Sequence, residues 1–101
     1  MQLINLTCHA DRTEVHFEGG LDVSHAVVAR ERLTEALVRS LPLELEAARL
    51  ERLDGAFLQL LVAFQRAAKA RGLRPRWRSV SPVLRSAAEA LGLIETLELP
   101  A

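Results

Sequence analysis

The stretch Leu53-Asp54-Gly55-Ala56-Phe57-Leu58-Gln59-Leu60-Leu61 joins two different patterns. Upstream, Leu43, Leu45 and Ala47 alternate with Glu44 and Glu46, the period of a strand with one buried face. Downstream, Phe57, Leu60, Leu61, Phe64, Ala67 and Ala68 recur at helical spacing, and the pattern runs on to Arg71. Asp54 stands where an N-cap belongs, and Gly72 where a helix-ending glycine belongs. Lys69 and Arg71 suit the negative end of that helix. A strand-to-helix junction is exposed, and a first helical turn offers unpaired N–H groups. The junction at Asp54 is therefore the candidate working surface.

Working toward the N-terminus, Pro42 stops a helix whose stripe is Ala26, Ala29, Leu33, Ala36, Leu37 and Leu41. Asp22 or Ser24 can cap it. Gly19-Gly20 reads as the end of a strand over Thr13 to Glu18, with Val15 and Phe17 on one face and Glu14, His16 and Glu18 on the other. Residues 3–8 form a first strand, and the short connection between the two implies a hairpin. Toward the C-terminus, Leu73 to Arg78 alternates, and Pro75 confines it to an edge or a strand end. Ser81-Pro82 is a helix start, Gly92 ends that helix, and the tail from Leu93 to Leu99 adds a short strand or turn. The order is strand, strand, helix, strand, helix, strand, helix, tail. Strand–helix–strand crossovers imply parallel pairing after the hairpin. The expected fold is α/β: a mixed four- to five-stranded sheet with helices mainly on one face, in a single domain over residues 1–101.

Composition narrows the function classes. Apolar residues make up 50% of the 101, enough for a folded core, while 4% aromatics leave that core to Leu, Val and Ala. Thirteen basic and thirteen acidic residues cancel, which argues against nucleic-acid binding. The longest apolar run is far short of a membrane span, and Met1 to Asn5 opens no signal-peptide pattern, so the expectation is a soluble, cytoplasmic protein without membrane insertion. The single Cys8 allows no internal disulfide and reads as a small buried apolar residue.

The order and the motifs together resemble the STAS domain, the fold of bacterial anti-sigma-factor antagonists, chemotaxis-linked adaptors and the small subunit of the lipid-asymmetry ABC transporter. Gly20-Leu21-Asp22 is similar to the family's Gly-x-Leu-Asp before its first helix. The run from Glu46 to Leu58 is similar to its Asp-Leu-Ser, spacer, Asp-Ser/Thr-Ala/Gly-Gly-Leu segment, and Gly72 and Gly92-Leu93 fall at its helix-ending glycines. The resemblance implies a phosphorylated Ser or Thr directly after the second Asp, where phosphate would switch partner binding at a helix N-terminus. Gly55 occupies that position and has no hydroxyl. The family's first Asp is matched by Glu46 and its Ser by Ala48, so of the acidic and hydroxyl cluster Asp54 remains. The implication is a docking module that phosphorylation at the usual site does not switch.

The expected partner surface is Asp54, Gly55, Ala56, Leu58, Gln59 and Val62, with Leu58 and Val62 exposed beside the buried stripe. By resemblance, its partner is a kinase-fold anti-sigma factor or a chemotaxis histidine kinase, or alternatively a transporter ATPase of a lipid-transport system. A homodimer through Leu58 and Val62 or through an exposed edge strand uses the same features. Arg74, Arg76 and Arg78 share a strand face and read either as an anion patch or as a solvated edge. No catalytic residue, cofactor or metal is expected. Asp54 has no second carboxylate or His beside it in sequence, two of Glu44, Glu46 and Asp54 come from one strand face, and His9, His16 and His25 lack ligand spacing.

Overall fold

In a computed structural model, residues 3–100 are described; Met1, Gln2 and Ala101 lie outside, and with them the ends of the expected 1–101 span and the first residues read for a signal. The alternating residues 13–18 form a strand as expected, but β2 runs from Thr13 to Leu21, past the two glycines. It follows β1 (Ile4–Cys8) as an antiparallel hairpin. A short 3-10 turn (Val23–His25) leads into α1 (Ala26–Val38). Then come β3 (Leu43–Leu53), α2 (Gly55–Ala70), β4 (Arg76–Val80), α3 (Pro82–Ala90) and α4 (Ile94–Leu97). The strands form one sheet in the order β1-β2-β3-β4. β2–β3 and β3–β4 are parallel, as the crossovers require.

Gly19 and Gly20 do not end β2. Gly19 takes φ 70°, in the left-handed region that favours glycine, and the register slips between Gly19 and Gly20. The slip lets β2 continue beside the lower half of β3, pairing Gly19 with Leu50 and Leu21 with Leu53. The β2–β3 register also slips between His16 and Glu18. A third slip, in β3–β4 between Leu45 and Glu46, is bridged by Ser79, whose Oγ accepts from the backbone N–H groups of Ala47 and Ala48.

Alternation decides the two faces of the sheet. Val15, Phe17, Leu45 and Ala47 are buried beneath the helices, while Glu14, His16, Glu44 and Glu46 stand half-buried on the opposite, open face. Phe17 is the centre of the core, with its ring 6.3 Å from Phe57 in an edge-on arrangement and 6.2 Å from Trp77. Pro75 precedes β4, which is an edge strand as its proline requires. The Trp77 indole N–H donates to the Leu97 carbonyl and so ties β4 to the tail.

Two expectations about burial are corrected. Cys8 is exposed, because it ends an edge strand rather than entering the core. Leu58 and Val62 are buried, at 1% and 3% exposure. α2 is packed by α1, by α3 and by α4 (Ile94–Leu97), the helix into which the tail folds instead of a strand, with Leu97 and Leu99 buried. Leu58, Val62 and Gln65 form a column at four- and three-residue spacing. Gln65 at its foot donates to the Glu98 carboxylate at 2.6 Å, just beyond α4. That carboxylate also meets Lys69, and hydrogen bonds from Lys69 and Gln65 hold it below the usual carboxylate range.

Candidate functional site: two loops pinned by Asp54

The two parallel strands β2 and β3 end side by side, at Leu21 and Leu53. The chain leaves each through an acidic residue that opens a helical turn. Asp22 precedes the 3-10 turn; its side chain accepts from the Ser24 backbone N–H at 2.8 Å and also pairs with the Ser24 hydroxyl. These hydrogen bonds hold its carboxyl below the usual range. His25 Nδ1 reaches back to the Asp22 backbone N–H, which completes a reciprocal cap.

Asp54 does more than cap. One carboxylate oxygen accepts from the Phe57 N–H at 2.9 Å, the expected N-cap bond of α2. The other accepts from the Val23 N–H at 3.0 Å, across 31 positions in sequence. The Asp54 N–H itself donates to the Leu21 carbonyl at 3.2 Å. One residue thus fixes both loops and both helix starts in a single arrangement. Arg52 lies across Gly20 on the same rim; a Cβ at Gly20 would stand 3.1 Å from its guanidinium. Together Gly20, Leu21, Asp22, Arg52, Leu53 and Asp54 line a shallow depression of about 210 Å³.

Around this depression the exposed groups include Gly55, Ala56 and Gln59 on α2, Val23 in the 3-10 turn and Val27 in the first turn of α1, the valines at 65% and 71% exposure. Val23 and Val27 are the residues that sequence reasoning missed. The signal was present, since Val23, Val27 and Val28 lie off the α1 stripe and are all exposed. Of the expected surface, Asp54, Gly55, Ala56 and Gln59 are brought together at the first turns of α2. Leu58 and Val62 are not available to it, nor to a homodimer contact.

Gly55 starts α2 with nothing within 4 Å of where a Cβ would lie. Gly55→Ser is therefore expected to be accommodated and to raise stability by up to about 1 kcal/mol, because it removes unfolded-state freedom. Chemical denaturation checks this; a lowered midpoint would show that the position needs glycine.

The arginines of the expected anion patch do not converge. Arg74 precedes β4 and reaches Glu98 at 3.6 Å, and Arg78 meets Glu44 at 3.2 Å. Arg76 is exposed on β4 opposite Glu44. Two of the three cations face carboxylates, which favours the solvated-edge reading.

The candidate acidic cluster of Glu44, Glu46 and Asp54 also separates. Glu44 joins Arg12 and Arg78, and Glu46 meets His16 Nδ1 at 3.0 Å. His16 Nε2 lies 3.1 Å from Glu14, whose other oxygen is 2.6 Å from His9 Nε2 and 3.3 Å from Arg12. The bond with His9, followed by that with His16, holds the Glu14 carboxyl below its ordinary range. His9 and His16 thus belong to a half-buried network rather than to the free surface.

A mixed sheet whose two inner parallel strands deliver two pinned strand-to-helix junctions to one exposed end makes a small α/β domain. The chain belongs to the STAS domain family: the family model described as "Mlab, STAS domain" matches residues 4–99. No curated protein matches it. Among solved structures, the anti-sigma factor antagonist SpoIIAA in its unphosphorylated form is similar at a TM-score of 0.71 and 19% identity, covering 89% of this chain and 81% of that one. A crystal structure of Mglu is similar at a TM-score of 0.69 and 22% identity, covering 79% of this chain. The match takes in 20% of the Mglu chain, so this chain spans about a fifth of that protein. At these identities the two structures establish the fold. No helix among the described residues is long and apolar enough to cross a membrane.

Proposed function

We propose that this chain is a non-enzymatic docking module that holds a protein partner on the surface formed by two strand-to-helix junctions, Leu21–Val27 and Asp54–Gln59. The observation that carries the reading is the Asp54 carboxylate, which bonds to both loops at once. A surface held rigid in this way loses little conformational freedom on binding. Val23 and Val27 supply exposed apolar contact, and Gln59 a polar rim. Gly55 removes the hydroxyl at the family's switch position, so the module binds without phosphorylation there. The family membership and the SpoIIAA-like fold support a partner such as a kinase-fold anti-sigma factor or a chemotaxis histidine kinase, in a cytoplasmic bacterial signalling system.

A second reading keeps the surface and changes the system: a small subunit bound to the ATPase of a lipid-transport ABC system. The Mlab description of the matching family model favours it.

The test is direct binding to purified candidates of each class encoded near this gene, by calorimetry. Val23→Asp with Val27→Asp is expected to weaken the cognate complex about tenfold or more, as loss of apolar anchor residues does. Val38→Asp, on an equally exposed valine at the other end of α1, serves as control. A complex indifferent to the first variant rejects this surface. Which class binds decides between the two systems.

A further inference from the structure

We propose that Glu14, His16 and Glu46 form a site for one divalent transition-metal ion of the zinc type, on the open face of the sheet. The placement follows from strand geometry. Glu14 and His16 are two apart on β2, so they share a face, and His16 pairs in register with Glu46 on β3. One ligand atom from each lies within 4.8 Å of the others. Each nitrogen of the His16 ring already has a carboxylate oxygen beside it, Glu14 at 3.1 Å from Nε2 and Glu46 at 3.0 Å from Nδ1. Ligand atoms around a tetrahedral zinc stand about 3.3 Å apart, given bonds of about 2.0–2.1 Å. The edge between Nε2 and Glu14 therefore has about that length; an ion bound at Nε2 leaves Nδ1 free, and Glu46, now beside Nδ1, reaches the ion by swinging from one side of the ring to the other within the 4.8 Å that spans the three ligand atoms.

Three further features suit the cluster to holding an ion. The backbone beneath is rigid: Val15, Phe17 and Leu45, which alternate with the ligands on the two inner strands, are at most 1% exposed. The Glu14 carboxylate is oriented from behind. Its Oε1 faces His16, while Oε2 is held by His9 and Arg12, the outer-shell support that ligating carboxylates carry. A shallow depression of about 410 Å³, lined by His16, Glu18, Glu46, Ala48, Arg49 and Ser79, adjoins the cluster and leaves room for water in the remaining coordination positions. The donor set selects the metal class: imidazole with carboxylates suits zinc, cobalt or nickel, whereas calcium and magnesium prefer oxygen throughout. This face is distinct from the paired loops, so the site stands or falls independently of the docking surface.

The experiment is calorimetric titration of the folded protein with zinc chloride, and of the same protein with cobalt(II) followed by visible absorption. The expected result is saturable binding of one ion per chain, with cobalt d–d bands and no thiolate charge-transfer band. His16→Gln and Glu46→Gln are each expected to weaken binding about tenfold or more. Cys8→Ser and His25→Gln, at exposed or separate positions, are expected to leave it unchanged. Circular dichroism of each variant confirms that it remains folded. Absence of saturable binding, binding that survives His16→Gln, or binding abolished by Cys8→Ser would overturn the site.

Discussion

Leu58→Asp combined with Val62→Asp is expected to abolish folding, not to isolate a binding defect. Both side chains are almost fully enclosed, between α2 and the C-terminal layer. Deleting a buried leucine costs about 2–5 kcal/mol through lost burial and the cavity left behind. Placing a carboxyl in the same space adds a further cost of about 2–7 kcal/mol for a polar group without a partner. Two such sites together reach or exceed the whole stability of a small domain, about 5–15 kcal/mol. Far-UV circular dichroism and gel filtration read the outcome. A native spectrum with cooperative unfolding would show that this side of α2 faces solvent. The single change Leu58→Ala stays within a measurable range, with an expected loss of about 2–5 kcal/mol in urea denaturation.

The same pair of residues shows where the sequence stops being informative. Element order was legible because each element carries its own period and its own punctuation: Asp54 and Ser81 as caps, Gly72 and Gly92 as helix ends, Pro75 at an edge. The structure places all five in those roles. The width of a buried stripe was not legible, because it depends on how many neighbours a helix acquires. α2 has α1 on one flank and α3 and α4 on the other. The tail that forms α4 has too few residues to show a period of its own, so nothing announced a layer over Leu58 and Val62. Gln65, a polar residue in the same column, is buried with its amide donating to Glu98, a partner that only the folded tail brings to it. A related limit hid the histidine cluster. Metal-ligand spacing is recognised along a chain, whereas His16 and Glu46 meet through strand register, across β2 and β3. Gly19-Gly20 misled for a third reason: a Gly-Gly pair commonly marks a turn, and only the paired strand shows that here the register slips inside β2.

Asp54→Ala is expected to separate the two halves of the proposed surface while leaving the sheet intact. The carboxylate makes two bonds, and each has its own expected cost. Loss of the Phe57 cap bond costs about 0.5–2 kcal/mol. The bond to the Val23 N–H is solvent-exposed, so water takes over the amide, and its loss costs about 1 kcal/mol. The sum is a destabilisation of about 1.5–3 kcal/mol in urea denaturation. Asp54→Asn keeps a single acceptor oxygen and can serve one amide only, so its expected cost is roughly half. Native-state hydrogen exchange adds the readout that separates a clamp from a simple cap. In Asp54→Ala the amides of both Val23 and Phe57 should exchange faster, while those of Val15 and Leu45 in the sheet core speed up only as far as the loss of global stability requires. Faster exchange at Phe57 alone would mean that the Val23 loop is held by its own Asp22 cap. The rigid two-loop surface, and with it the reason for expecting partner binding there, would then lose its physical basis.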